Sequence, residues 1–309
     1  MTLDLEFDDV DAELAASVRR YCSDHLVDPA AAWAGGPADF WKGLAELGVL
    51  GLATPEGGGG VTTIVAVMEE LGRANAPGPL VGTFLALQLV DVATRRPIAD
   101  GDELVAVAAG SIVPWLPVAG TVIELDGTSA YLVRPIGDVE TVETLAGEPW
   151  GSSQLERVGD LGSANIAIAV ADVALAAYIT ANAEFLLLNA AAYAADRIQF
   201  RKPIGTFQAV AHPLADCFIK LAAARTLARI AAHAIDSEAD DAGPAAAAAR
   251  LSATRAALRT AFQTHQTYGA MGFTVEGPIG TRSARIRQTS LFPPGEHQSG
   301  ERLLSLHGL

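Results

Sequence analysis

The chain has 309 residues, half of them hydrophobic, which is enough for one large domain or two to three small ones around a substantial core. Its formal net charge of −15 argues against a nucleic-acid partner, because phosphate would repel it. Charged residues make up 18%, against about 25% in an average soluble domain, which points to surface covered by partners, although abundant alanine gives the same figure.

The opening MTLDLEFDDVDAE has neither a basic n-region nor an apolar h-region, so no signal peptide is expected. Residues 9–26 are amphipathic, with Val10, Leu14, Val18 and Tyr21 at helical spacing. A short helix is expected over 38–48 and another from Thr62 to about Ala74, after the GGGG loop at 57–60. Pro77 and Pro79 break the chain before a further apolar helix over 80–94. The pattern then changes. Between about 103 and 160, ELVAVAA and TVIELDGTSAYLVRP are rich in β-branched residues, and Asp126-Gly127 between two such runs signals a hairpin.

From about 160 the chain is helical again. Helices are expected over 163–196, over 207–236, and from about Pro244 to about Tyr268. GAMGFTVEGPIG reads as a loop, Thr281–Arg287 as a short helix, LFPPGEHQSG as irregular, and the last residues as a short helix. The most apolar stretch, 166–195, is interrupted by Asp172, Asn182, Glu184 and Asn189, so a buried bundle helix is expected rather than a membrane span. The two cysteines, Cys22 and Cys217, form neither a disulfide framework nor a metal-ligand spacing. They read as buried thiols in a reducing cytoplasm. The six histidines show no ligand pairing, and no metal site is expected. Trp115 and Trp150 read as core or interface residues.

The stretch DRIQFRKPIGTFQAVAHPLAD, 196–216, stands apart from its acidic, alanine-rich surroundings. Pro203 disfavours helix at Lys202, so the preceding helix should end near Gln199. Basic groups at a helix C-terminus offset its dipole, which accounts for Arg197, Arg201 and Lys202 without a ligand. Phe200 and Phe207, flanking Pro-Ile-Gly, and the Gln199 and Gln208 pair are not covered by that account. Guanidinium and aromatic groups on a tight turn suit a planar, phosphorylated ligand.

The same stretch resembles the C-terminal-domain signature of the acyl-CoA dehydrogenase family. Arg197, Phe200, Ile204, Phe207, Gln208, His212 and Leu214-Ala215-Asp216 fit that pattern, while Arg201 stands where glycine is usual. QTYGAMGFTVEGP at 266–278 resembles the family's Gln-x-x-Gly-Gly-x-Gly-Phe/Tyr-Thr-x-Glu segment. FWKGLAELGVLGLATPEGGGG and MEELGRANAPGPL resemble its N-terminal domain. The resemblance implies a mainly α fold with a small β region: an N-terminal helical domain at 1–100, a reduced β middle domain at 101–160, and a C-terminal four-helix bundle at 161–309. It also implies FAD, an acyl-CoA thioester as substrate, α,β-desaturation, and electron-transfer flavoprotein as acceptor. By the same resemblance Arg197 pairs with the cofactor's pyrophosphate. Gln199, Phe200, Ile204 and Phe207 line the site, and Gln266, Gly269, Ala270 and Gly272 contact the flavin nucleotide of a neighbouring subunit.

The sequence departs from the family in three places. Nothing in 103–160 resembles the segments that cradle the flavin ring. Where many members carry Tyr-Glu-Gly-Thr, this chain reads SLFPPGEHQSGERL, with Glu296 as a nearby carboxylate that reads better as a solvated loop residue. Other members place the base about seven turns upstream of the signature arginine, which here reaches Ala171, beside Asp172. These departures resemble the short subunits of actinobacterial α2β2 acyl-CoA dehydrogenases of steroid breakdown. They imply that a full-length partner supplies the ring pocket and the base, with a bulky, polycyclic acyl group on the CoA thioester. Two alternatives stay open: an autonomous FAD enzyme using Asp172 or Glu296, and a non-catalytic scaffold.

Overall fold

The computed structural model describes residues 5–26, 38–274, 279–293 and 295–306. Helix α1 spans Asp9–His25, its amides capped by Asp8, whose carboxylate accepts from Asp11 N at 2.8 Å. Helices α2 (Ala38–Glu46) and α3 (Val61–Ala74) follow, α3 burying one residue after another along its length. The stretch expected as one helix over 80–94 is two, α4 (Leu80–Leu87) and α5 (Val92–Ala99). The break has a local cause: the Asp91 carboxylate accepts from Thr94 N at 2.9 Å and starts a new helix there.

The small sheet has five strands: β1 (Val105–Ala108), β2 (Val113–Pro114), β3 (Thr121–Asp126), β4 (Ser129–Val142) and β5 (Trp150–Ser163), in the order β1-β3-β4-β5-β2. Strand β1 pairs with β3 in parallel and the other pairs are antiparallel. Asp126 pairs with Ser129 across the expected two-residue turn, and Gly127 takes φ +61°. Side chains alternate in burial partners along the sheet. Val105, Val107, Ile123 and Leu125 face the main core, whereas Ala106, Ala108, Val122 and Val133 join Trp115 in a second, smaller cluster. Strand β5 is absent from the sequence reading because GSSQLERVGDLGS carries a single β-branched residue among its polar ones. Its place comes from pairing with β4.

Helix α6 (Asn165–Asp196) is long and apolar enough to cross a membrane by length and composition, so the polar interruptions noted in the sequence do not remove that signal. Its most apolar window is nevertheless 94% buried inside the protein. It packs against α3, α7 (Gln208–Asp236) and α8 (Ala242–Tyr268). Helices α9 (Gly280–Thr289) and α10 (Glu296–Leu306) close the bundle, so α10 takes in residues EHQSG that the sequence suggested were irregular.

The N-terminal helices are tied to the bundle by polar contacts. The Asp236 carboxylate, at the end of α7, caps α3 by accepting from Val61 N at 2.7 Å and Thr62 N at 2.9 Å. Tyr178 Oη donates to Ala76 O at 2.7 Å, and Asn182 Nδ2 to Asn75 Oδ1 at 2.7 Å. Arg229 forms a bidentate pair with Glu69, 2.9 Å on both sides, and lies over the Phe7 ring. Both cysteines are free and buried, and burial pushes the Cys22 thiol up to about 12, leaving it unreactive at neutral pH.

Candidate functional site

Helix α6 ends at Asp196, a few residues before the expected Gln199. Arg197 N still donates to Tyr193 O at 2.9 Å as the cap. The chain then makes a miniature hairpin, β6 (Ile198–Gln199) against β7 (Lys202–Pro203), with Phe200 and Arg201 as its two turn residues. Both take positive φ, +51° and +66°. A two-residue turn that follows strand twist demands this left-handed geometry, which glycine adopts freely and other residues adopt at a cost. Ile204 N donates to Arg197 O at 2.8 Å and closes the structure from behind.

The turn holds Phe200 out from the bundle, 86% exposed, edge-on to Phe207 with ring centroids 6.0 Å apart. Lys202 Nζ sits 4.3 Å above the Phe207 ring. Arg197, Gln199 and Arg201 are exposed, and neither arginine has an ion-pair partner among the described residues. Ile204 and Phe207 are half-buried and support the tip from below. Changing Arg201→Gly is expected to relieve about 1 kcal/mol of left-handed strain and to raise the melting temperature by about 2 °C in calorimetry. A lower melting temperature would mean that the Arg201 side chain contributes more than the strain costs.

The second stretch follows α8. Gln266 is exposed on its last turn, Gly269 takes φ +60° and ψ −136° where only glycine is at ease, and 269–273 form a 3-10 turn. Gly269 and Ala270 are exposed, and Phe273 stands 78% exposed beside His265. Gly272 differs: it is buried, and a Cβ there would lie 3.1 Å from Tyr268 Cβ and 3.2 Å from Ile279 Cδ1. Packing within the chain accounts for that glycine, without a ligand. Residues 275–278 of the same segment lie outside the described residues.

These two stretches, about 70 residues apart in sequence, sit at one end of the bundle. Tyr193, near the end of α6, stacks on Tyr268, the last residue of α8, with centroids 4.3 Å apart, and Tyr268 Oη donates to Asn189 O at 3.3 Å. Near their other ends the same helices are joined through Asp172 and Arg250, so α6 and α8 run parallel. The bundle therefore brings a basic, aromatic tip and a glycine-containing turn to one outward-facing rim. Their donors and rings fit the phosphates and base of a dinucleotide.

The two carboxylate candidates fare differently. Asp172 is fully buried. Arg250 Nη1 donates to its Oδ1 at 3.2 Å, Arg302 donates to its Oδ2, and Arg250 Nη2 donates to Phe292 O at 2.5 Å. Burial raises its pKa, as a base would require, and the two guanidiniums oppose that rise. Both oxygens are occupied and no path leads to them, so Asp172 serves as a tie between α6, α8 and α10. Glu296 opens α10, and its side chain lies outside the described residues.

A buried polar group that sequence reading misses fills the place where the N-terminal helices, the sheet and the bundle meet. Glu148 accepts from Gln288 Nε2 at 2.7 Å and lies 3.3 Å from Arg285 Nε, and burial raises its pKa. Beside it Met68, Trp115, Trp150, Tyr178 and Phe292 line a partly open recess with only about 30 Å³ of free space, room for a water molecule. No sequence signal marks Glu148: it stands alone between Gly147 and Pro149, and its partners are about 140 residues away.

The acyl-CoA dehydrogenase C-terminal-domain model matches residues 163–293, and the N-terminal-domain model matches residues 8–95. Acyl-CoA dehydrogenase IpdE2 of Mycobacterium tuberculosis is 32% identical over 258 residues, covering 77% of this chain and 76% of the relative. The chain belongs to the acyl-CoA dehydrogenase family. It is accordingly an oxidoreductase acting on acyl-CoA, in a family whose cofactor is FAD. Among solved structures, the Tcur3481-Tcur3483 steroid ACAD G363A variant superposes with a TM-score of 0.82 at 26% identity, over 97% of this chain and 98% of that one. The ChsE4-ChsE5 complex from Mycobacterium tuberculosis shares the fold, with a TM-score of 0.81 at 22% identity over 99% of both chains.

Proposed function

We propose that this acyl-CoA dehydrogenase chain is the short subunit of a hetero-oligomer, α2β2 in stoichiometry, that presents its bundle-end rim to FAD held at the interface with a full-length partner. The observation that carries this reading is directional. Arg197, Gln199, Phe200, Gln266, Gly269 and Ala270 all face outward from one rim, whereas the interior junction is filled by Glu148, Arg285 and Gln288 beside a recess with about 30 Å³ of free space. The rim fits the adenosine-diphosphate half of FAD, and the filled junction does not fit a three-ring flavin.

FAD, when bound, supplies the two-electron acceptor for α,β-desaturation. In this reading Arg197 pairs with the pyrophosphate, Phe200 covers the base, and backbone at Gly269 and Ala270 approaches the nucleotide closely. The partner supplies the ring pocket and the carboxylate that removes the α proton. Asp172 is unsuited to that task, being locked between Arg250 and Arg302. Exposed apolar side chains on the bundle helices, among them Leu188, Phe218, Ile219 and Phe262, support a protein partner. The steroid enzymes among the similar structures support a bulky, polycyclic acyl-CoA as substrate. Electron-transfer flavoprotein would be the acceptor, and the cytoplasm the setting in which Cys22 and Cys217 stay reduced.

The test is the visible flavin spectrum of the purified chain, alone and co-expressed with a full-length family member. Flavin is expected only in the complex. There Arg197→Ala is expected to weaken its retention by about 30-fold to 1,000-fold, the loss of one buried charge-assisted pair. Stoichiometric flavin on the lone chain, or unchanged retention in the variant complex, overturns the reading.

A further inference from the structure

Arg282 on α9 is a largely buried cation without a counter-charge among the described residues. Its guanidinium lies 3.6 Å over the Phe185 ring, and Nη1 makes a long hydrogen bond to Asn182 Oδ1 at 3.5 Å. No carboxylate pairs with it among the described residues. Burial pulls its pKa down to about 10, with Tyr178 opposing the shift and the like charge of Arg285 adding to it.

Arg282 lines an open pocket of about 360 Å³ together with Arg19 of α1 and Arg73 of α3. Those two arginines share one carboxylate. Arg19 Nε and Nη2 each reach Glu70 at 2.8 Å, and Arg73 Nη1 donates to the same Oε1 that Nη2 contacts. The Glu70 pKa is lowered: burial alone would raise it, and the hydrogen bonds from Arg19 and Arg73 outweigh that. The neighbouring acids are engaged elsewhere, Glu69 with Arg229 and Glu184 with Arg225. Three guanidiniums therefore face one carboxylate, in a chain whose net charge is −15. Arg19 and Arg73 remain partly exposed, 65% and 40%, and both line the pocket. Guanidinium forks arranged around a concavity match the geometry of phosphate and carboxylate groups.

We propose that the pocket between Arg19, Arg73 and Arg282 binds an oxyanion, the phosphoryl or carboxylate group of a small molecule. It is built by α1, α3 and α9, none of which carries either stretch of the bundle-end rim, so the proposal stands apart from the FAD reading.

The test is isothermal titration of the purified full-length chain with inorganic phosphate and, separately, with succinate, at constant ionic strength set with sodium chloride. Saturable binding in the millimolar range is expected for at least one of them. Arg282→Gln is expected to weaken it at least tenfold. Arg19→Gln, whose side chain is 65% exposed, is expected to weaken it several-fold. Binding of phosphate alone assigns a phosphoryl ligand, and binding of succinate alone a carboxylate. Absence of saturable binding by either anion overturns the proposal, as does equal affinity in the wild type and both variants. Thermal melts of the variants establish that any loss occurs in a folded chain.

Discussion

Asp172→Ala is expected to destabilise the chain by about 3–5 kcal/mol, seen as a fall in the denaturant midpoint. The substitution removes the anion from a fully buried site, so Arg250, itself fully buried, loses its Asp172 partner, while Arg302 loses its contact with α6. Pairing in such a site does little more than offset desolvation, so the cost arises from removing one member of a buried pair. Replacing both charges, as in Asp172→Leu with Arg250→Met, should therefore recover a large part of the loss. A catalytic base would behave differently: Asp172→Asn would leave the fold intact and abolish turnover in the assembled enzyme. A stability loss below about 1 kcal/mol for Asp172→Ala would overturn the assignment of this residue as a structural tie.

The second large effect lies at the contact of α3 with α6. A Cβ on Gly72 would stand 2.1 Å from Tyr178 O and 2.9 Å from Tyr178 C and Cα, so the clash is with backbone that cannot rotate away. Gly→Ala inside a helix ordinarily gains about 1 kcal/mol. Here the sign should reverse, with a loss of about 3 kcal/mol, at the top of the range for overpacking. Separating the helices also strains the Tyr178–Ala76 and Asn182–Asn75 hydrogen bonds beside the contact. Thermal unfolding of Gly72→Ala checks this, and an unchanged or raised melting temperature would show that the two helices part at little cost.

Much of the fold is legible in the sequence because its elements follow local rules. The hairpin at Asp126-Gly127 is set by a turn only certain residues make, and the long helix α6 by alanine and leucine repeated without Gly or Pro. Strand β5 is not legible, since its partner β4 specifies it and its own residues do not. The split between α4 and α5 rests on a single cap, Asp91, inside an otherwise apolar run. The rim residues are legible as motifs in separate stretches, but their meeting depends on α6 and α8 running parallel, which no local pattern encodes. Gly272 and Asp172 carry signals that contacts within their own chain also explain. A glycine in a motif and an acid in an apolar helix look alike whether they meet a ligand or their own chain. The Glu148, Arg285 and Gln288 group is invisible because it joins residues about 140 positions apart, each ordinary in its own surroundings.

The cap that Asp236 places on α3 has a consequence for synthesis. Val61 and its acceptor are 175 residues apart. At about 5–20 residues per second, a ribosome needs roughly 9–35 s to deliver Asp236 after Val61. For the first part of that interval, until α6 (Asn165–Asp196) is made, the apolar side of α3, with Val65, Met68 and Leu71, has emerged without the bundle helix it packs against. The nascent N-terminal half is thus an exposed apolar surface for many seconds, a natural client for a holding chaperone. A ribosome stalled before α6 would leave α3 without the bundle helices it packs against.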